Sequence, residues 1–178
     1  MIEQRKLKLM SRFLPRLYVF VFLAGGYSGL IGLFGWSIDS WLPLEDSNPL
    51  GTLAFPAYGI LFGMLWLGVG PLVILFFSGL KDGITLKSYI LGGGNMYFRE
   101  AYITGDVGAQ LLDIGVGLME SMSLLYASTG GMYLAVYLSE RYREGMGAEE
   151  TQKINFTKKV VVSFILAGLV VGLRHYLY

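Results

Sequence analysis

The chain has no cysteine and a single histidine, His175. Disulfides and thiolate metal sites are therefore excluded, and a histidine-rich metal centre lacks its ligands. Charge is also scarce. Only 15% of the residues are charged, against about 25% in an ordinary soluble domain. The net charge of +1 offers no footprint for a nucleic acid. The few charges cluster and leave long uncharged tracts: Leu17 to Ile38 is 22 residues and Leu50 to Leu80 is 31. An apolar tract of about 18 residues or more reads as a membrane span. These tracts are apolar all round, which argues against the one-sided helices of a soluble core. The composition predicts one all-α domain over residues 1–178, a polytopic transmembrane helical bundle with the lipid bilayer as its first partner.

The N-terminus, "MIEQRKLKLMSRFLPR", is basic and precedes the first apolar tract, as in a signal peptide. That tract is longer than the roughly 7–15 residues of a signal-peptide core, and no clear small-residue cleavage site follows. An uncleaved first span is expected over residues 17–38. The segment after it, "DSWLPLEDSNPLG", is acidic, and Trp36 and Trp41 fit an interfacial aromatic belt. The second span lies within 50–80. It is longer than a crossing needs, so it is tilted, partly interfacial, or broken near Pro56 or Pro71. "KDGITLKSYILGGGNMYFREAYITGD" reads as a mixed loop, with Tyr97, Phe98 and Tyr102 as interface anchors. A third segment covers 106–138, a polar connector follows, and the last span covers 160–178.

Arg5, Lys6, Lys8, Arg12 and Arg16 predict a cytoplasmic N-terminus in a multi-pass protein of the cell membrane. One crossing by each tract then puts the connector outside, although it holds Arg141, Arg143, Lys153, Lys158 and Lys159. A fold-back of 106–138 at "STGG", Ser128 to Gly131, relieves the conflict. Such a re-entrant or broken helix is tolerated at membrane depth where protein or water surrounds it. The expectation is four to five membrane segments, with this fold-back slightly preferred to a single crossing.

The third segment carries Asp106, Asp113 and Glu120 at a constant spacing of seven. Seven positions return to nearly the same helix face, off by roughly 20°. A carboxylate at the bilayer centre costs about 2.5–3.5 kcal/mol and seldom faces lipid. The line must therefore face protein or water, with Ser121, Ser123 and Ser128 nearby. The functional reading is a proton or cation path, or a docking site for a partner. The plainer reading, preferred here, is a structural pairing with a cation on another span, for which Arg174 and His175 are the candidates. Asp113, Glu120, Ser123, Arg174 and His175 are thus the polar residues of interest.

Gly25 and Gly29, Gly59 and Gly63, and Gly168 and Gly172 are small-xxx-small pairs that let helix backbones approach closely. Together with Gly117 and Gly131 they predict tight helix packing or a homo-oligomer. The "GGGN" at Gly92 lacks the strand and helix of a phosphate loop. No catalytic triad is recognisable, and no cofactor or metal is expected.

The order of features resembles the stage II sporulation protein M family over roughly residues 50–178. The first family element is similar to "LFFSGLKDGI", with Ser78-Gly79 where the family tends to have Asn-Gly. The second is similar to "VGLMESMSLLYASTGG". Gly117 and Glu120 match the family's Gly-x-x-Glu, Val116 stands where histidine is usual, Ser123 falls at a small position, and Gly131 fits the later glycine. The third is similar to "VVVSFILAGLVVGLRHYLY", with Arg174 near where the family often has a glutamate. That exchange suggests a compensated pair, Glu120 with Arg174. The resemblance implies a multispan protein without enzymatic activity. Sporulating members act in a membrane complex that recruits cell-wall hydrolases and remodels the membrane during engulfment, and many relatives lie in organisms that never sporulate. Two functions are carried forward: a scaffold or assembly subunit working with other membrane proteins or with copies of itself, and a small proton- or ion-coupled transporter or channel using Asp113 and Glu120. No nucleic-acid partner is expected.

Overall fold

The computed structural model describes residues 2–32, 49–91, 107–144 and 150–177. Trp36, Trp41, Gly92 to Asp106 and Tyr178 lie outside them. The described residues form five α-helices and no strand: α1 Ile2–Ile31, α2 Pro49–Met64, α3 Pro71–Leu91, α4 Val107–Glu144 and α5 Glu150–Leu177. Two of these contain stretches long and apolar enough to cross a membrane, Arg12–Ile31 and Gln152–His175. Only 22% and 17% of these stretches is buried in the bundle, which is the reverse of a soluble core helix. Large apolar side chains such as Phe20, Leu23, Phe164 and Ile165 point outward along them.

The 50–80 tract is not one long span. It is two helices joined by a 3₁₀ turn, Leu65–Gly68. The break falls at Gly68, whose φ of +97° suits only a residue without Cβ. Pro71 then opens α3, where its missing N–H is no loss. Pro56 stays inside α2, fully buried. The Tyr18 hydroxyl donates to the Gly68 carbonyl and ties the turn to α1. Leu14, Tyr18, Leu75, Leu124 and Met132 form the apolar core around that contact. Helix α3 also continues through Lys81 to Leu91, where the sequence suggested a loop.

The expected fold-back at Ser128 to Gly131 is absent. Helix α4 runs unbroken for 38 residues, and Ser128, Thr129, Gly130 and Gly131 are all buried within it. The small residues serve packing instead of a turn. A Cβ on Gly131 would strike the Ile60 carbonyl of α2, and one on Gly63 the Ser128 carbonyl. Gly59 packs at the same seam, against Ala127. Thr129 satisfies its hydroxyl on the Leu125 carbonyl at 2.8 Å, the usual recourse of a threonine inside a helix.

Helices α1 and α3 lock in the same way. Gly25 and Gly29 face the carbonyls of Phe76 and Leu80, while Gly79 and Gly83 face those of Phe22 and Gly26. The contacts advance together along both chains, so α1 and α3 are parallel. The contacts of Gly59 and Gly63 advance along α4 likewise, so α2 and α4 are parallel. The contacts run Ser78–Ser121 then Asp82–Gly117 between α3 and α4, and Arg174–Glu120, Ser163–Ser123 then Val160–Gly130 between α5 and α4, in the antiparallel sense. The five helices therefore alternate in direction along the sequence. Gly168 and Gly172 are the exception among the glycine pairs, because a Cβ at either would meet nothing within 4 Å.

Candidate polar centre and cavity

Glu120 sits on α4 about 18 Å along the axis from Met132, twelve residues at 1.5 Å each. Met132 lies level with the α2–α3 turn, against Gly68, so Glu120 lies toward the other end of α2, level with Thr52. Its Oε1 is 2.9 Å from Arg174 Nη2, with the two side chains 12% and 19% exposed. The pairing expected from the sequence is thus present. Arg174 reaches over from the last turns of α5, and its Nη1 also donates to Thr52 Oγ1 on α2 at 3.1 Å. One guanidinium therefore ties together α2, α4 and α5.

A second carboxylate belongs to the same centre. Asp82 on α3 accepts a hydrogen bond from Ser121 Oγ at 2.6 Å. Ser121 Oγ is also 3.0 Å from Ser78 Oγ. Ser78, Asp82, Glu120, Ser121 and Arg174 line one cavity of about 280 Å³ between α1, α3 and α4. Its walls are mostly apolar, among them Phe22, Leu30, Phe55, Ile114 and Leu124. Gly117 faces this space. A Cβ there would meet only Asp82 Oδ1, at 3.9 Å, so Gly117 provides room and not the helix contact expected of it.

The other sequence candidates fall elsewhere. Of Asp113 only its place on α4 is described, and Asp106 lies outside the described residues. Ser123 is buried and donates to the Ser163 carbonyl at 2.9 Å, joining α4 to α5. His175 is exposed and takes no part in the polar centre. Asp82, Ser78 and Thr52 were not singled out by the sequence as site residues. Ser78 and Asp82 are four apart, as are Gly79 and Gly83. That spacing places a polar and a small face side by side once the segment is taken as helix. Among the described residues no group of three or more acidic or histidine side chains is placed to hold a metal.

The chain matches no family model, no curated protein and no solved structure. Functional inference therefore rests on the bundle itself. Chemically, the centre offers one compensated ion pair, one carboxylate held by a serine, and an apolar space beside them.

Proposed function

We propose that the chain is a five-span, non-enzymatic assembly subunit of a membrane complex, the kind of role implied by the resemblance to the stage II sporulation protein M family. The observation that carries this reading is the Glu120–Arg174 pair. Its charges are spent on each other and on Thr52, so this carboxylate holds helices together.

Alternating helix directions support the multi-pass arrangement. They bring the start of α1, the end of α4 and the start of α5 to one end of the bundle. That end holds Arg5, Lys6, Lys8, Arg12, Arg16, Arg141, Arg143, Lys153, Lys158 and Lys159, which is ten of the chain's 14 basic residues. Positive charge marks the cytoplasmic side. The conflict in the sequence reading disappears because the extra crossing comes from α2 and α3, with α4 unbroken. Lys159 Nζ lies 4.4 Å from the centre of the Tyr126 ring, an arrangement suited to an interfacial lysine. Helix α2 is only 16 residues, about 24 Å at 1.5 Å per residue, and the 3₁₀ turn completes its crossing. A single cysteine placed beside Arg143 in intact cells is expected to resist a membrane-impermeant maleimide until the membrane is opened. Immediate labelling there would reverse the orientation.

The outer face of α5 supports the assembly role. Val161, Ile165, Gly168, Leu169 and Gly172 are exposed together, and the glycine pair is not used within the bundle. A second copy or another membrane protein fits there closely. Because the native chain has no cysteine, Gly168→Cys or Gly172→Cys reports contacts across this face without background. The expected outcome is an oxidative crosslink in native membranes, absent for a cysteine at Leu61 on exposed α2. Equal crosslinking at both places, or at neither, would remove this support.

The second reading, a small proton- or ion-coupled transporter, is favoured by a different observation: Asp82 in the cavity wall. pH-dependent flux in liposomes that Asp82→Asn abolishes would put that reading first.

A further inference from the structure

The cavity has features that neither ion pairing nor helix packing requires. Its volume, about 280 Å³, is close to the low end of the roughly 300–1,000 Å³ typical of small-molecule pockets. Leu23, Tyr27, Leu86 and Leu118 line it and are also exposed on the outside of the bundle, so it opens sideways between α1, α3 and α4. Three aromatic side chains, Phe22, Tyr27 and Phe55, contribute to its wall.

The charges at its floor are unequal in their commitments. Arg174 is engaged by Glu120 and Thr52. Lys81 also lines the cavity and is itself engaged. Asp82 Oδ2 is held by the Ser121 hydroxyl, while the space beside Oδ1 is kept open by the missing side chain of Gly117. Ser78 adds a hydroxyl beside the same carboxylate. A carboxylate with open space beside it, under apolar and aromatic walls, suits a positive charge carried on an apolar body. The carboxylate supplies the counter-charge, and aromatic faces attract a cation further. An anion would meet Asp82 and Glu120 with both nearby cations already engaged.

The geometry points to a lateral binding site for a hydrophobic monocation, an aryl or alkyl ammonium compound entering from the bilayer, with Asp82 as its counter-ion and Gly117 making room for it. The site stands independently of whether the chain assembles through α5.

The test uses the full chain in lipid nanodiscs with radiolabelled benzyltrimethylammonium as the probe, and empty nanodiscs to subtract partitioning. Neopentylbenzene, its neutral carbon isostere, and benzenesulfonate are the competitors. Saturable binding is expected, with the neutral isostere competing at least tenfold more weakly and the sulfonate not at all. Asp82→Asn is expected to weaken binding at least tenfold. Gly117→Leu fills the space beside Asp82 and is expected to abolish binding while the carboxylate remains. Leu61→Ala, exposed on α2 and not part of the cavity wall, serves as the control and binds as the unaltered chain does. A melting temperature measured on each variant separates loss of the site from loss of the fold. Binding that does not saturate, that is equal for the neutral isostere, or that survives both Asp82→Asn and Gly117→Leu would overturn the assignment. So would tighter binding of the sulfonate.

Discussion

Arg174→Gln is expected to destabilise the bundle by about 3–5 kcal/mol, the usual result of leaving one member of a buried ion pair without its partner. The side chains of Arg174 and Glu120 are only 19% and 12% exposed, so water does little to replace the lost guanidinium. Thr52 loses its donor in the same change, and Glu120 is left facing the cavity that also holds Asp82. Glu120→Gln should cost less, because the carboxamide keeps the side chain's shape beside Arg174 and the guanidinium keeps its bond to Thr52. The double change should recover part of the loss, giving a coupling energy above about 1 kcal/mol in a double-mutant cycle. Unfolding followed in a fixed detergent or lipid composition measures all four proteins. Strict additivity would mean that the two groups do not hold each other. Replacing both by leucine is a useful fifth protein outside the cycle, since a buried pair exchanged for apolar residues is often no less stable.

Gly79→Val is expected to be at least as damaging. A Cβ at Gly79 collides with the Phe22 carbonyl, and one at Gly83 with the carbonyl of Gly26. These obstacles are backbone atoms, which cannot rotate away as a side chain does. Helices α1 and α3 would have to separate along their length, and the Tyr18–Gly68 contact would part with them. The expected loss exceeds the roughly 1–3 kcal/mol of ordinary overpacking, and Gly79→Ala should already show most of it. The contrast is Gly115→Ala on α4, where a Cβ meets nothing within 4 Å. There the better helix former should be neutral, or stabilising by up to about 1 kcal/mol. Melting temperatures of the three variants decide it, and a Gly79→Val protein as stable as Gly115→Ala would refute the close approach.

The unequal legibility of these features in the sequence has physical causes. The Glu120–Arg174 pair was readable because a charge in apolar surroundings needs compensation, and few cations lie within the apolar tracts. Gly25 with Gly29, and Gly59 with Gly63, were readable from spacing alone. Their partners were not. Gly79 and Gly83 bracket Lys81 and Asp82, and two adjacent charges suggest the end of a span. In the structure Asp82 is satisfied by Ser121, so the helix carries the charge inward and continues. The α2–α3 turn was half legible: a break near Pro71 was one of the alternatives, but a break inside an apolar run leaves no polar signal to select it. Only the glycines at 68 and 70 and Pro71 mark it. "STGG" misled in the opposite direction. Small residues that permit a turn also permit a neighbouring backbone to press close, and Gly63 with Ile60 makes use of that.

The glycine contacts also divide the bundle mechanically. Backbone fitted against backbone joins α1 to α3 on one side and α2 to α4 on the other, while Ser123 and Arg174 fasten α5 to the second group. Neither group can slide internally without carbonyls riding over glycines. Between the groups the contact is made by the apolar core of Leu14, Tyr18, Leu75, Leu124 and Met132, by the Ser78–Ser121–Asp82 bonds, and by the turn at Leu65–Gly68, with the cavity beside them. The joint between the two groups is therefore polar at one end, around Ser121, and apolar at the other, around Tyr18.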